Sequence, residues 1–504
     1  MHAVYIGGVG MTKFGKDARP LVELFKQAAG EALGGATPSD GIDAVYIGVM
    51  NCEEFIGESN IASQTIDALG FAGTPALRVE TASSAGAAAL FTGFQAIASE
   101  CYHRVLVLAG EKMTHLSTST TTRVLAEVID QEERLCGATM PALAAMITEK
   151  YRRKYHLSHS RLQNMLCAVA MKNHLNGAQN PLAQFQHGIT RDAYLNSKFV
   201  ATPLRLYDCA PITDGAAAVV LTCDKTDLRI TGIGQGTGPL SLRDRETFTS
   251  FPATLAAAAR AYQMAGVGPK DIDFAEVHDA FTPFEIITTE DLGFFPAGKG
   301  GEAVLDGKTA LDGVLPINPS GGLKARGHPV GASGLAQVVE ACKRLKGDIA
   351  SKRSPKRGLT QSTGGLATNN FVTILERTDA PPAQKLAAPA LPPAATTQRR
   401  KLSTSRVSEE GVIETFTTLY VTPDGFLPPL ALALVRDRYG SLLMAQGEDD
   451  TQLKIGQEVF LRRVDGVCFF TVKSQIQKVQ EAFMKLFRRK EAMPSKDNRG
   501  GDQS

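Results

Sequence analysis

The sequence predicts an α/β protein built of two similar halves and followed by a small β-barrel. Three observations predict it. A helix-to-strand pattern occurs twice, several strands are apolar on both faces, and a Pro/Ala-rich break at Thr378 to Arg400 precedes a region of short β runs.

The chain opens with Met1 to Gly8, an apolar strand running into a glycine turn. It lacks the basic start and apolar core of a secretion signal, which points to a cytoplasmic protein. Leu24 to Gly48 then gives an Ala-rich helix pattern, a glycine turn, and a strand entered through Gly41-Ile42-Asp43-Ala44-Val45-Tyr46. Leu255 to His278 repeats that order, with Asp271-Ile272-Asp273-Phe274-Ala275-Glu276 entering the strand. A second pair, Ser84 to Leu90 and Gly331 to Ala336, puts small residues at the start of a helix in each half, where helices can pack closely. Val105 to Ala109 and Ala217 to Leu221 are apolar on both faces, as strands covered by helices on each side should be.

The organisation that follows is a first half over 1–225, a second over 226–377, a semi-rigid linker over 378–402, a barrel domain over 403–487 and a disordered tail over 488–504. Within the barrel, Val412 to Thr422 is rich in Thr, Val, Ile and Phe. Turns at Pro423-Asp424-Gly425 and Leu453-Lys454-Ile455-Gly456 separate further runs such as Glu458 to Leu461, and one helix, Gln475 to Phe487, should close the domain.

Composition excludes several classes of function. Over 504 residues, 54 Lys and Arg face 52 Asp and Glu, a net charge of +2, so no field of one sign attracts nucleic acid or an anionic membrane. The barrel's basic residues are not interleaved with exposed aromatics, and no apolar run reaches the roughly 20 residues that cross a bilayer. The eight cysteines are scattered without a C-x-x-C pair, so neither a zinc ribbon nor a disulfide framework is expected. His156 and His159 form an H-x-x-H without a third ligand, and Ser158 reads as a helix cap, so no metal is expected. Gly7 to Gly10 and Gly232 to Gly236 lack the G-x-G-x-x-G spacing of a dinucleotide site, and no cofactor is expected.

Two segments carry residues that a core does not require. Asn318 to Gly334 holds paired glycines, Gly327-His328-Pro329 on a tight turn, and small residues that begin a helix whose amide end favours negative charge. Val277-His278-Asp279-Ala280-Phe281 ends a strand in adjacent His and Asp, and ligands sit at such carboxyl ends. Two histidines in these settings suit proton transfer or donation to an oxyanion.

These segments resemble known motifs. Asn318 to Gly334 resembles the thiolase N-x-x-G-G…G-H-P-x-G-A-[ST]-G signature, and His278 to Phe281 resembles the H-D-C-F box of the sterol-carrier-protein type of thiolase. Asp208 to Ala218 matches a third segment of that family, and Val79-Glu80-Thr81-Ala82-Ser83-Ser84-Ala85-Gly86 resembles V-E-x-A-C-A-S-G, the nucleophile motif. The resemblance covers about residues 3 to 377. It implies a thiolase fold of two βαβαβαββ halves, acyl-CoA substrates with coenzyme A as part of the substrate, and a homo-oligomer. It also implies a catalytic set of Ser83, His278 and His328, with Asn318, Gly321, Gly322, Gly331 and Gly365 at the oxyanion and substrate pocket. Acyl specificity would lie in loops such as Thr114 to Pro141. Thr404 to Lys473 looks like the DUF35-type OB-fold that accompanies such thiolases, without the cysteines of its zinc ribbon.

The pattern breaks at sulfur. Position 83 is serine, the H-D-C-F box has Ala280, and the region that often holds C-x-G-G reads Gln361-Ser362-Thr363-Gly364-Gly365. A hydroxyl is far harder to ionise than a thiol, and a helix end worth about 1 kcal/mol does not close that gap. Ser83 would need His328 as its base, and no carboxylate is evident to complete a triad. Neither Cys52 nor Cys101 is expected at a helix start facing that histidine. Two readings follow: an enzyme of acyl-CoA carbon–carbon chemistry, acyltransferase-like or retro-aldol in type, or a non-catalytic acyl-CoA-binding or scaffold protein of thiolase fold.

Overall fold

Among the described residues eleven strands precede the linker: β1 (Val4–Met11), β2 (Ala44–Gly48), β3 (Ala76–Val79), β4 (Arg104–Glu111), β5 (Phe199–Ala201), β6 (Leu204–Arg205), β7 (Gly215–Thr222), β8 (Leu228–Thr237), β9 (Phe274–Glu276), β10 (Arg357–Gly364) and β11 (Asn369–Arg377). Five follow it: β12 (Glu410–Leu419), β13 (Leu430–Asp437), β14 (Leu442–Gly447), β15 (Glu458–Val464) and β16 (Val467–Val472). The structure is a computed structural model that describes residues 2–34, 41–347, 354–379, 408–447 and 453–473. Most of the linker, the helix expected at 475–487 and the tail lie outside the described residues.

Nine strands form one sheet in the order β3-β2-β4-β7-β1-β8-β11-β10-β9. The two halves are the same motif laid back to back: β1, β7, β4 and β2 correspond to β8, β11, β10 and β9. In each set the first two pairings are antiparallel and the third is parallel. They join where Val4 pairs with Ile230 and Tyr5 with Arg229. The helix-to-strand repeat read from sequence is therefore Leu21–Leu33 with β2 in one half and Pro252–Ala265 with β9 in the other.

Strand β4 shows why these runs are apolar throughout. Val105, Val107 and Ala109 pack with Leu90, Phe94, Leu335 and Val339, whereas Leu106 and Leu108 pack on the opposite face with Leu24, Phe25 and Ala28. The glycine runs that lack dinucleotide spacing have a packing reason of their own. A Cβ on Gly232, Gly234 or Gly236 would strike the carbonyls of Ala261, Ala257 or Ala253 in helix Pro252–Ala265. Gly8 and Gly10 stand in the same relation to Ala32 and Ala28 of helix Leu21–Leu33. Alternate glycines on one face of a strand let an Ala-rich helix lie directly on its backbone.

Strands β12 to β16 run β13-β14-β16-β15-β12, and a β12–β13 pairing closes them into a five-stranded barrel compatible with the OB-like barrel expected. It docks on its own chain. Leu419 of β12 pairs with Ala201 of β5, Thr415 Oγ1 donates to the Met146 carbonyl at 3.1 Å, and Lys150 meets Glu414 at 2.7 Å. Among the described residues no helix is long and apolar enough to cross a membrane.

Candidate active site

His278 stands just past the end of β9, on backbone held from two sides. Val277 N donates to Asn318 Oδ1 at 2.8 Å, and His278 N donates to Gln361 Oε1 at 3.1 Å. Asn318 takes φ +54°, a left-handed conformation that asparagine tolerates, and its Nδ2 donates to Glu285 Oε2 at 2.8 Å. Its side-chain amide is thus spent on holding the strand end.

The adjacent Asp279 points into the protein. Its carboxylate accepts from Leu323 N at 2.6 Å, Lys324 N at 3.3 Å and Asn173 Nδ2 at 2.7 Å, capping the short helix Gly322–Arg326. Burial first and Glu285 second raise its carboxyl to about 6. Gly322 has φ +58°, and a Cβ there would lie 2.6 Å from Asp279 Oδ1. Gly321, at φ +103°, has no room for a Cβ against the backbone of Gly177. The structure therefore gives Asn318, Gly321 and Gly322 a framing part, fixing His278 from behind.

His328 sits on the turn between that helix and helix Ser333–Lys346. His328 N donates to Thr213 Oγ1 at 3.0 Å, and Ile212 bridges to His328, so the segment after Asp208 runs alongside the turn. Its Nδ1 lies 2.7 Å from Ser333 Oγ, and that hydroxyl donates to the Pro329 carbonyl at 2.9 Å. With the hydroxyl hydrogen so committed, the ring proton is assigned to Nδ1 and Nε2 is left as an acceptor.

The two imidazoles meet edge to face, with centroids 5.2 Å apart and planes at 88°. Both are held neutral. Burial, then Arg326, lowers His328 to about 3; burial, then His328 and Arg326, pushes His278 well below its ordinary value. His278 Nδ1 is buried and has no hydrogen-bond partner among the described residues.

Ser83 lies between β3 and helix Ala85–Ala98. Ala82 before it takes φ +55°, strained for alanine, and Ser84 Oγ donates to the Thr81 carbonyl at 2.7 Å to tighten the turn. Gly86 N donates to the Gly331 carbonyl at 2.9 Å, and Gly331 N donates to Glu111 Oε2 at 3.2 Å, so the serine helix and the His328 loop are joined. Gly365, at φ +59°, turns the chain after Gly364, which packs on Thr81 and Ser84. Ser83 itself is half-buried, and among the described residues no hydrogen bond links it to either histidine.

Cys52 does begin a short helix, Cys52–Ile56. It is fully buried, and burial followed by the neighbouring Glu111 pushes its thiol up, so it is no nucleophile. Ser362 is buried, and among the described residues its Oγ has no hydrogen-bond partner. Ser158 Oγ accepts from Arg161 N at 3.1 Å as a cap, and among the described residues no group of three or more His, Cys, Asp or Glu is placed to hold a metal.

Sequence reasoning missed Glu111, Ser333 and Lys324. Glu111 is 1% exposed and, mainly through burial, raised to about 8, and its Oε2 accepts from Met50 N at 2.8 Å. An acid closing the apolar run of β4 was the available signal.

Residues 4–225 match the family model for the thiolase N-terminal domain, and residues 234–377 match that for the thiolase C-terminal domain-like region. An acetyl-CoA acetyltransferase of Methanothermobacter thermautotrophicus is 39% identical over 394 residues, 75% of this chain and 100% of that protein. The chain is an enzyme of the thiolase superfamily. Its superfamily relatives include benzoylsuccinyl-CoA thiolase subunit BbsB of Thauera aromatica, 31% identical over 72% of this chain and 94% of that one. Among solved structures, a monomeric SCP2-thiolase-like protein type 1 of Mycobacterium smegmatis shares the fold with a TM-score of 0.70 at 16% identity, over 94% of this chain and 99% of that one. An Ltp2-ChsH2(DUF35) aldolase does so at 0.63 and 23% identity, over 75% of this chain and 99% of that one.

Proposed function

We propose that this thiolase-superfamily enzyme makes or breaks the bond between the α and β carbons of an acyl-CoA thioester without a sulfur nucleophile, in the retro-aldol manner. The observation that carries it is the pair of neutral imidazoles in edge contact, one with Nε2 free to accept a proton. Acyl-CoA as substrate is supported by relatives named for acetyl-CoA and benzoylsuccinyl-CoA chemistry.

On a β-hydroxyacyl-CoA, His328 Nε2 takes the hydroxyl proton and the bond between the α and β carbons breaks. Its electron pair passes into the thioester as an enolate, whose oxygen receives the N–H of His278. An aldehyde or ketone departs, and the imidazolium of His328 returns its proton to the α carbon. No acyl-enzyme forms, so serine at 83 and alanine at 280 are no obstacle. In the acyltransferase form of this reading, Ser83 attacks the thioester with His328 as base. The carbon–sulfur bond breaks, and coenzyme A leaves as its thiol with the proton that His328 returns, the acyl group staying on Ser83.

Coenzyme A enters as part of the substrate, with no separate cofactor or metal. Asn318, Gly321, Gly322, Gly331 and Gly365 frame the pocket, the barrel is a DUF35-type OB domain, and the protein works as a cytoplasmic homo-oligomer. Incubation with β-hydroxyacyl-CoA and β-ketoacyl-CoA panels should release a carbonyl product, with turnover falling roughly 100-fold or more in His328→Ala. Binding without turnover in the wild type would instead establish a non-catalytic acyl-CoA-binding protein. Ser83→Cys assayed for thiolysis separates the two enzymatic forms, because gain of activity there shows an intact thiolase pocket.

A further inference from the structure

Lys324 is buried, and burial pulls its ammonium below the ordinary lysine value against the opposing charges of Cys209, Asp208 and Asp279. It is 3% exposed, and among the described residues its ammonium makes no hydrogen bond or ion pair. Its nearest carboxylates are engaged elsewhere. Asp208 accepts from Thr282 Oγ1 at 2.6 Å and from the Tyr194 hydroxyl at 2.9 Å, and Asp279 caps the helix of Lys324 itself. What surrounds the ammonium is aromatic: Nζ lies 5.8 Å from the ring centre of Phe185 and 5.8 Å from that of Tyr207.

His174 shares those walls. Its ring stacks on Phe185 at 5.4 Å and meets Tyr207 edge-on at 5.7 Å, and it is 1% exposed with Nε2 buried and unpartnered. The Lys324 ammonium, set against two aromatic faces, and the His174 Nε2, buried without a partner among the described residues, share the same two rings and form an incomplete polar cluster. Burying such groups unsatisfied is costly. Phe185, Tyr207 and Cys209 keep part of their surface in solvent, so the cluster lies close under an accessible wall.

This cluster adjoins the candidate active site. Cys209 bridges to Phe281, Ala210 N donates to the Ala280 carbonyl at 2.9 Å, and Lys324 precedes His328 by four residues, a span of roughly 14 Å at most. We propose that Lys324 and His174 form a subsite for a carboxylate carried on the acyl group of the substrate. The inference rests on the acyl-CoA reading above and narrows it to acyl chains bearing a second acid. One carboxylate oxygen accepts from the Lys324 ammonium. The other meets His174 Nε2, which takes up a proton from solvent to donate to it, while Phe185 and Tyr207 exclude water. The phosphates of coenzyme A lie at the far end of the pantetheine from the thioester, so an anion subsite this close to the histidines serves the acyl end.

The test is calorimetric binding of adipoyl-CoA and hexanoyl-CoA, esters of equal chain length that differ in a terminal carboxylate, to the full-length protein. The wild type should favour adipoyl-CoA by tenfold or more, Lys324→Met should abolish the preference while leaving hexanoyl-CoA affinity unchanged, and Lys324→Arg should retain part of it. The wild-type comparison stands even where a variant fails to fold. Equal affinity of the wild type for both esters overturns the subsite and leaves the acyl-CoA reading intact. Equal weakening of both by Lys324→Met assigns the ammonium to the coenzyme's phosphates and also overturns it. Binding of neither ester removes the acyl-CoA reading and the subsite together.

Discussion

His328 Nδ1 is held at 2.7 Å by the Ser333 hydroxyl, not by a carboxylate. A carboxylate in that place would orient the ring and also stabilise its cation, whereas a hydroxyl only orients it. Arg326 acts in the same direction by disfavouring charge on the ring. On the proposed retro-aldol reading, His328 needs to carry a proton only briefly, from substrate hydroxyl to α carbon, and this setting suits that better than prolonged activation of Ser83.

Ser333→Ala should free the ring and let the proton move to Nε2. Turnover is expected to fall roughly fivefold with acyl-CoA affinity unchanged, since one hydrogen bond of about 1 kcal/mol is lost away from the substrate. Ser333→Thr, which keeps the hydroxyl, should restore most of the rate. Steady-state kinetics paired with calorimetric binding checks both.

Because burial holds both histidines neutral well below pH 6, activity should show no acid limb near the ordinary histidine value of about 6.5. The sign for stability is separate. A histidine whose folded pKa is depressed binds fewer protons folded than unfolded, so the fold should weaken as pH drops below about 6.5. A kcat profile breaking near 6.5 would show that the rings are solvated.

Glu111 has the opposite sign. Burial raises its carboxyl to about 8 from an ordinary 4.5, so its contribution to stability is complete below 4.5 and is lost as pH rises through 8. Glu111→Gln keeps an oxygen for Met50 N and Gly331 N but cannot ionise. The stability difference, wild type minus variant, should therefore decline between pH 5 and 9, by about 1.4 kcal/mol per unit at most. Urea midpoints across that range measure it.

Much of this architecture could be read from residues, for reasons that differ by element. The repeat was legible because Ala-rich helices over β1 and β8 demand small residues at fixed spacing, and the two histidines stood out because glycine and proline fix their turns. The second role of Gly232, Gly234 and Gly236 was hidden, since spacing tells what a glycine run is not for and only packing tells what it is for. Glu111, Lys324 and Ser333 were hidden for another reason. Their meaning is burial beside partners distant in sequence, such as Gly331 for Glu111 and Phe185 for Lys324. That Cys52 opens a helix was hidden because a five-residue helix leaves almost no periodic signal.

Gly322→Ala should separate framing from mere flexibility. At φ +58°, with the new Cβ 2.6 Å from Asp279 Oδ1, the side chain meets both backbone strain and the carboxylate that caps its helix, a loss of about 2–4 kcal/mol. Gly34 has nearly the same φ, +62°, with nothing within 4 Å of a Cβ, so Gly34→Ala should lose only about 1 kcal/mol. Denaturant midpoints of the two variants, compared directly, report the contribution of the Asp279 contact.

The barrel should unfold with the domain it rests on. Leu419, Leu432, Leu434 and Met444 belong to the same buried cluster as Leu143, Met146 and Leu162, and that cluster also contains Phe281, three residues beyond His278. Cys136 Sγ donates to the Met444 carbonyl at 3.3 Å across the same contact. Leu432→Ala is therefore expected to lower one shared calorimetric transition by about 2–5 kcal/mol, where an independent barrel would melt in a transition of its own. Through Phe281 the loosening should also reach the strand end that carries His278, so turnover in Leu432→Ala should fall at temperatures where the protein is still folded. A full rate with a separate barrel transition would mean that the contact is a docking surface only, and that the site is complete without it.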